Sequence, residues 1–425
     1  MDSPAAAAAL IRRSVLSQSI HELWGRGDTY DELHASVRSD SAHLWPAHAA
    51  ASWRFNVDSY RGARTQGKIV DIINSFSYLP LAGPIRMRGA DTELVVLEHW
   101  ADCAVPLGLE LPERLYLGRV LASSPRADLL ARFDLKRRRY ISTTSMDSEL
   151  ALVTANIALA GPGRLFYDPF VGTGSFPVAA AQWGALAWGS DIDGRAVRGD
   201  EQGDTGRTLR GNFAQYGLLA GLADTFSADI TNSPIRRCPL GSAGAGTRWN
   251  RRWLDGIVCD PPYGVREGLR VLGVRNDEKQ AHVVKAGMEM YKDLDFIPPK
   301  KPYSFLAMLD DLLTFAAETL VDDGRLAFWM PTANDELLEL AVPTHPCMEL
   351  VTVCVQTFNK WSRRLIAYRR IPDDLVDAVA LCEALERRAA RESEGRTADE
   401  LNPFRRGYFT KFKTDDIERT PSATH

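Results

Sequence analysis

Cysteine is scarce in this 425-residue chain: there are six (Cys103, Cys238, Cys259, Cys347, Cys354, Cys382), and no two form a C-x-x-C pair. That scarcity excludes a disulfide-built scaffold, and the spacing argues against a cysteine zinc site within the chain. The eight histidines show no H-E-x-x-H spacing either, so no metal centre is expected. No apolar run is long enough to span a bilayer. Ala5 to Ile11 is apolar, but Asp2 precedes it and Arg12-Arg13 follow it, the reverse of a secretory signal. A cytoplasmic protein without membrane contact is the expectation. An excess of positive charge is also missing: 51 basic against 55 acidic residues give a net charge of -4. Any nucleic-acid binding must therefore come from local patches rather than a global field. A G-x-x-x-x-G-K-[ST] phosphate loop is absent, which removes the P-loop nucleotidases.

What is present is an ordinary globular balance, 45% hydrophobic and 25% charged residues, in a chain long enough for two or three domains. Residues 1–135 read as an α+β region. Helices are expected at Ser14 to Trp24, Thr29 to Val37 and Ile69 to Phe76, and strands at Trp53 to Tyr60, Leu94 to Trp100 and Arg114 to Val120. The basic run Lys136-Arg137-Arg138-Arg139 marks a boundary. From 136 to 372 strands and helices alternate, which predicts an α/β domain whose parallel sheet is covered on both faces. Residues 373–425 read as a surface helix and a tail.

The most informative stretch is Asp168-Pro-Phe-Val-Gly-Thr-Gly-Ser-Phe176, an apolar strand running into a glycine turn that opens a helix. Gly172 and Gly174 allow positive φ values and close backbone approach, and Phe170 and Thr173 lie between and beside them. A tight turn with no ligand would use the same glycines. Proline at 177 replaces the third glycine of the dinucleotide fingerprint, and Asp168 would repel a pyrophosphate at that point. A cationic ligand without phosphate, such as S-adenosylmethionine, would welcome the carboxylate. Asp191 ends the next strand about 20 residues on, where an acid can accept from both ribose hydroxyls. Asp193 is better placed to cap the following helix. Asp229-Ile230 ends the third strand, with Asp229 able to accept from an adenine amino group. Three acids at successive strand ends beside a glycine turn predict an adenosyl cofactor site.

The fourth strand delivers Asp260-Pro261-Pro262-Tyr263-Gly264. Two prolines make a rigid turn in any fold. At the ligand edge of a sheet, however, a [DN]-P-P-[FY] sequence has a chemical use. An exocyclic amine on a base, or a glutamine amide, is a poor nucleophile because its lone pair is delocalised. Asp260 and the Pro261 carbonyl can accept its two N–H hydrogens and aim the lone pair at a methyl sulfonium. Asp260 then stabilises the positive charge as it develops. Tyr263 can stack on a planar substrate. The motif points to N-methylation of a planar amine without saying which.

With these residues in place the chain resembles the eukaryotic tRNA (guanine-N2)-methyltransferases that modify the guanosine at tRNA position ten. The resemblance is carried by Tyr140-Ile-Ser-Thr-Thr-Ser-Met-Asp-Ser-Glu149 with Thr154-Ala-Asn156, by Asp168 to Phe176 and Gly189 to Gly194, and by Asp260 to Gly268. Phe328-Trp-Met-Pro-Thr-Ala-Asn334 and Phe358-Asn-Lys-Trp-Ser-Arg-Arg364 extend it. It implies a Rossmann-like methyltransferase domain that uses S-adenosylmethionine, preceded by a THUMP-type RNA-binding region. It also implies a tRNA substrate and a small zinc-binding activator subunit that extends an exposed edge strand near Thr225 to Ala228. Thr144 to Met146 would line the cofactor pocket. Only nine residues precede Leu10, so the N-terminal region is expected to be shortened at its start. In the same light Lys136, Arg137, Arg138, Arg139, Arg266, Lys360, Arg363, Arg364, Arg405 and Arg406 become candidates for tracking phosphates, against the alternative of ordinary solvated charge. A target amine inside a folded tRNA implies extrusion of the base, with Tyr263 and Phe170 holding it. A glutamine N5-methyltransferase, an adenine N6-methyltransferase and a catalytically silent RNA-binding protein are the competing expectations.

Overall fold

The computed structural model describes residues 3–199, 206–241, 251–264, 269–273, 284–285, 288–289, 299–333, 342–359 and 361–390. Its contacts divide the chain into two units, Met1–Leu129 and Leu130–His425.

The first unit is built on four strands, β1 (Ser19–Gly27), β2 (Trp53–Tyr60), β3 (Thr92–His99) and β4 (Arg114–Ser123), in the order β1-β4-β3-β2. β2 and β3 are parallel and the other pairs antiparallel. Leu94 and Val96 alternate along β3 and meet Leu115 and Leu117 of β4, all buried. Two helices cover them. The helix Tyr30–Asp40 begins with a Thr29–Glu32 capping box that satisfies its first amides and contributes Leu33 and Val37. The helix Gln66–Ser75 contributes Ile72, with Phe76 just beyond. Where a helix is expected at Ser14 to Trp24, the chain instead forms a short connection and then strand β1 from Ser19. Register shifts at Ile20/His21 and Leu23/Gly25 break its two-residue alternation, which gives the apolar positions a helix-like spacing. Glu98 is buried at the end of β3, 1% exposed. Arg64 grips it, and Tyr30 (2.7 Å) and Ser59 (2.6 Å) donate their hydroxyls to it. Such full pairing is what a buried charge requires.

In the second unit the strands are β5 (Leu165–Asp168), β6 (Leu186–Asp191), β7 (Leu222–Ser227), β8 (Leu254–Cys259), β9 (Arg270–Leu272), β10 (Val284–Lys285), β11 (Met288–Glu289), β12 (Lys300–Pro302), β13 (Leu320–Ala333), β14 (Met348–Thr357) and β15 (Trp361–Arg370). Seven form one sheet, ordered β14-β15-β13-β8-β5-β6-β7. The five strands from β13 to β7 run parallel, and β15 and β14 close the sheet antiparallel. This is the Rossmann-like α/β arrangement. The helix Phe305–Thr319 is buried along most of its length and packs with Leu254, Ile257, Leu326 and Phe328 into the larger core. The chain leaves β5 outward to β6 and β7, then returns to β8 on the other side of β5. The carboxyl ends of β5 and β8 therefore flank the switch point where sheets of this kind open a crevice. Among the described residues no helix is long and apolar enough to cross a membrane.

Candidate active site

Asp168 ends β5 and is 1% exposed. Its Oδ1 accepts the Phe170 amide at 2.9 Å, while its Oδ2 is buried without a hydrogen-bond partner. The turn that follows holds Gly172 at φ 47° and Gly174 at φ 85°, where a side chain would be strained, and Gly174 starts the helix Ser175–Gln182. Asp191, at the end of β6, accepts the Gly172 amide (3.0 Å) and the Asp193 amide (2.9 Å), tying the two strand ends together. Burial pushes the Asp168 carboxyl well above the usual range, and the Asp191 and Asp260 charges add to the effect. Burial also raises Asp191. Asp193 caps the short helix Gly194–Arg198 through its bond to the Arg195 amide.

Side-chain bonds to segments distant in sequence support this turn. The Thr173 hydroxyl lies 2.8 Å from the Ser145 hydroxyl, which joins the glycine turn to the segment carrying Thr144. Fully buried Asn212 donates to the carbonyls of Thr173 (3.0 Å) and Tyr140 (2.7 Å) and accepts the Tyr140 amide (3.1 Å). Only the fold brings residue 212 beside residues 140 and 173, so no local signal could have found it. Thr144 itself is exposed, Phe170 half-buried and Ile230 buried.

Asp229 departs from the simple picture of a free acceptor. Its Oδ1 takes the amides of Thr231 (2.7 Å) and Asn232 (2.8 Å), and its Oδ2 takes the Leu272 amide (2.6 Å). These bonds hold its carboxyl below the usual carboxylate range against the opposing effect of burial. The carboxylate anchors β9 over the end of β7.

At the end of β8 the Asp260 carboxyl is pushed up to about 6 by burial, opposed by the Tyr263 hydroxyl and the Arg363 guanidinium. Its Oδ1 is buried without a hydrogen-bond partner. Pro261 is buried, Pro262 exposed, and Gly264 turns the chain at φ 66°. The Tyr263 ring stands edge-on to Trp361, 6.4 Å and 70° apart, and Trp361 stacks on Phe358 at 4.7 Å. Two unpartnered carboxylate oxygens, Asp168 Oδ2 and Asp260 Oδ1, thus sit at neighbouring strand ends, with Asp191 close by. This donor-poor, acidic set suits a cationic ligand and disfavours a phosphate. Among the described residues no group of three or more His, Cys, Asp or Glu could hold a metal ion.

Residues 1–126 match the family described as the Tmrp11 THUMP N-terminal domain. The chain is 41% identical over 364 residues to the tRNA (guanine(10)-N(2))-methyltransferase of Saccharomyces cerevisiae, covering 84% of this chain and 80% of that protein. The Schizosaccharomyces pombe enzyme of the same name is 37% identical, over 85% of this chain and 71% of that one. Human TRMT11, also a tRNA (guanine(10)-N(2))-methyltransferase, is 32% identical over 85% of this chain and 76% of its own. The chain belongs to this methyltransferase family.

Within this family member, the arginines expected to track phosphates separate into different roles. Arg138 is buried, and its guanidinium donates to Ser175 (2.9 Å) and Tyr216 (3.3 Å), so it braces the glycine-turn helix instead of facing a ligand backbone. Arg364 is buried as well and donates to Thr332 at 3.0 Å across the sheet. Arg363 points to the other face, toward the end of β8, and donates to Gln356 at 2.7 Å. The strand's two-residue period sends neighbouring arginines to opposite sides, which the basic dipeptide alone does not reveal. Lys136, Arg137 and Arg139 are exposed. Arg266, Lys360, Arg405 and Arg406 lie outside the described residues.

Proposed function

We propose that this chain is the catalytic subunit of a tRNA methyltransferase that transfers a methyl group from S-adenosylmethionine to the exocyclic N2 of guanosine at position ten. The observation that carries this reading is the buried Asp260 Oδ1 left unpartnered at the end of β8. An acceptor in that position calls for a donor brought by the substrate.

S-adenosylmethionine, when bound by Asp168, Phe170, the Gly172-Thr173-Gly174 turn, Asp191 and the Asp229-Ile230 loop, supplies an electrophilic methyl group. Asp168 Oδ2 offers a counter-charge, and Asp191 keeps the turn and the β6 end in register while presenting lone pairs toward ribose hydroxyls. Thr144 borders the same pocket. At the acceptor end, Asp260 and the Pro261 carbonyl take the two N–H hydrogens of the guanine amine. Pro262 fixes the turn, and the Tyr263, Trp361 and Phe358 rings provide an aromatic wall for an extruded base. Transfer breaks the methyl–sulfur bond as the C–N bond forms, the electron pair staying on sulfur as a neutral thioether. The amine nitrogen becomes cationic, and the Asp260 carboxylate stabilises it, then takes its proton and passes it to solvent. A carboxyl whose midpoint lies at about 6 is ionised at neutral pH and still basic enough to accept that proton.

The N-terminal unit, with Lys136 and Arg137 beyond it, is assigned to tRNA binding. The small activator subunit is assigned to β7, which pairs only with β6 among the described strands and so leaves one edge of the sheet open to strand addition. Free cysteines, two of them buried, fit a reducing cytoplasm. Incubating the chain with labelled S-adenosylmethionine and unmodified tRNA, with and without the activator, tests the whole reading. N2-methylguanosine at position ten, identified by mass spectrometry, is the expected product. Transfer to a protein, or none despite cofactor binding, would overturn it.

A further inference from the structure

Arg363 sits in a slot made by β13, β14 and the segments that carry Met146 and Phe358. On β15 it pairs with Pro331 of β13 on one side and Gln356 of β14 on the other. Its Nε donates to Gln356 Oε1 at 2.7 Å, and its Nη1 lies 3.5 Å from Met146 Sδ. The guanidinium carbon stands 4.9 Å from the Trp329 ring centre and 5.6 Å from that of Phe358. Trp329 is itself fixed by its bond to Thr154 at 3.0 Å. Two residues before Arg363 on the same strand face, Trp361 carries the edge-on contact to Tyr263. A guanidinium so enclosed is poorly free to follow a flexible phosphate backbone, but its positive charge is held in one place.

We infer that Arg363 is a positioning residue for the acceptor end of the site, a fixed cation that keeps the Asp260 carboxylate charged and the Tyr263 side chain in place. The inference rests on the assignment of Asp260 as the group that receives the amine. The charged and titratable groups facing Asp260 are Asp168 at the end of β5, Cys259 on its own strand, Tyr263 in the motif and Arg363 from β15. Arg363 alone among them favours the carboxylate by charge. The sign follows directly. With Arg363 neutralised, Asp260 protonates at a higher pH than about 6, and the acid limb of turnover moves up with it.

The test compares R363Q and R363K with the native chain in methyl transfer to tRNA across pH 5.5 to 9, together with cofactor affinity by calorimetry. R363Q should lose about tenfold in kcat at pH 6 and recover to within about threefold at pH 8.5. R363K, which restores the charge but not the planar fork, should return most of the profile. Cofactor affinity should stay unchanged. An infrared titration of the Asp260 carboxyl, identified by difference against D260N, should rise in parallel and requires no turnover. A pH profile of native shape, with the loss confined to a salt-sensitive KM for tRNA, would make Arg363 a phosphate contact and sink the inference. Full turnover by D260N would instead sink the assignment beneath it. Thermal unfolding identifies a variant that fails to fold, in which case R363K and the infrared titration decide.

Discussion

Replacing Asp260 with asparagine should make the protein more stable and nearly inactive at once. The carboxyl titrates at about 6 in the folded chain, against 3.8 for an unperturbed aspartate, because burial disfavours its charged form. The folded state therefore binds the proton more tightly than the unfolded state. Between the two midpoints stability falls as pH rises, and above about 6 the full cost of holding the buried charge is present. A shift of about two units corresponds to about 3 kcal/mol. Asparagine of similar shape carries no such cost, so D260N should unfold later than the native chain at pH 7.5, by up to about 3 kcal/mol. The gain should shrink through pH 6 to 4 and vanish below, where both states of the native chain are protonated. Chemical denaturation at several pH values measures this, with methyl transfer assayed on the same samples. Turnover should drop by about 100-fold or more, the usual consequence of removing one buried group aimed at developing charge. A D260N chain that is less stable at pH 7.5 than at pH 4 relative to native, or one that keeps its turnover, would refute the reasoning.

Asp191→Ala should weaken S-adenosylmethionine binding at least about tenfold in calorimetry, since it removes a buried carboxylate and releases the Gly172 and Asp193 amides together; unchanged affinity would count against the cofactor assignment. Gly174→Ala places a side chain at φ 85° with its Cβ 3.0 Å from Leu209 Cγ, so a loss of about 1 to 2 kcal/mol is expected by thermal unfolding. Glu98→Ala leaves Arg64 without its buried partner and should cost the N-terminal unit about 3 kcal/mol in denaturant unfolding; a loss below about 1 kcal/mol would mean the network is incidental.

The sheet and its glycine turn were legible because their signals are local. Leu165 to Asp168 is a short apolar run ending in an acid, and Gly172 and Gly174 adopt the positive φ that their spacing suggested. Trp53 to Asp58 alternates apolar and polar residues, and Trp53–Tyr60 is β2. Ser14 to Trp24 misled because the two shifts in β1 remove the alternation that identifies a strand. The charged residues were harder for a different reason. Whether Arg138 reaches solvent or Ser175, and whether Asp229 waits for a ligand or for the Leu272 amide 43 residues later, depends on contacts distant in sequence. Residue type gives the chemistry available, and only the packing says which partner takes it.

Consecutive arginines on β15 give that strand two reasons to hold its alignment. Its even-numbered side chains, Arg364 and Ile366 among them, belong to one layer of the domain, while Arg363 and Leu365 belong to the other. A slip by one residue would exchange the layers. It would thrust the Arg363 charge into the place held by Arg364 and Thr332, and carry a neighbouring side chain to the end of β8 where Asp260 stands. Correct threading of the hydrophobic interior and correct charge at the acceptor end are therefore one event. A chain that closes its sheet out of step gains no partial activity, and folding itself proofreads the site.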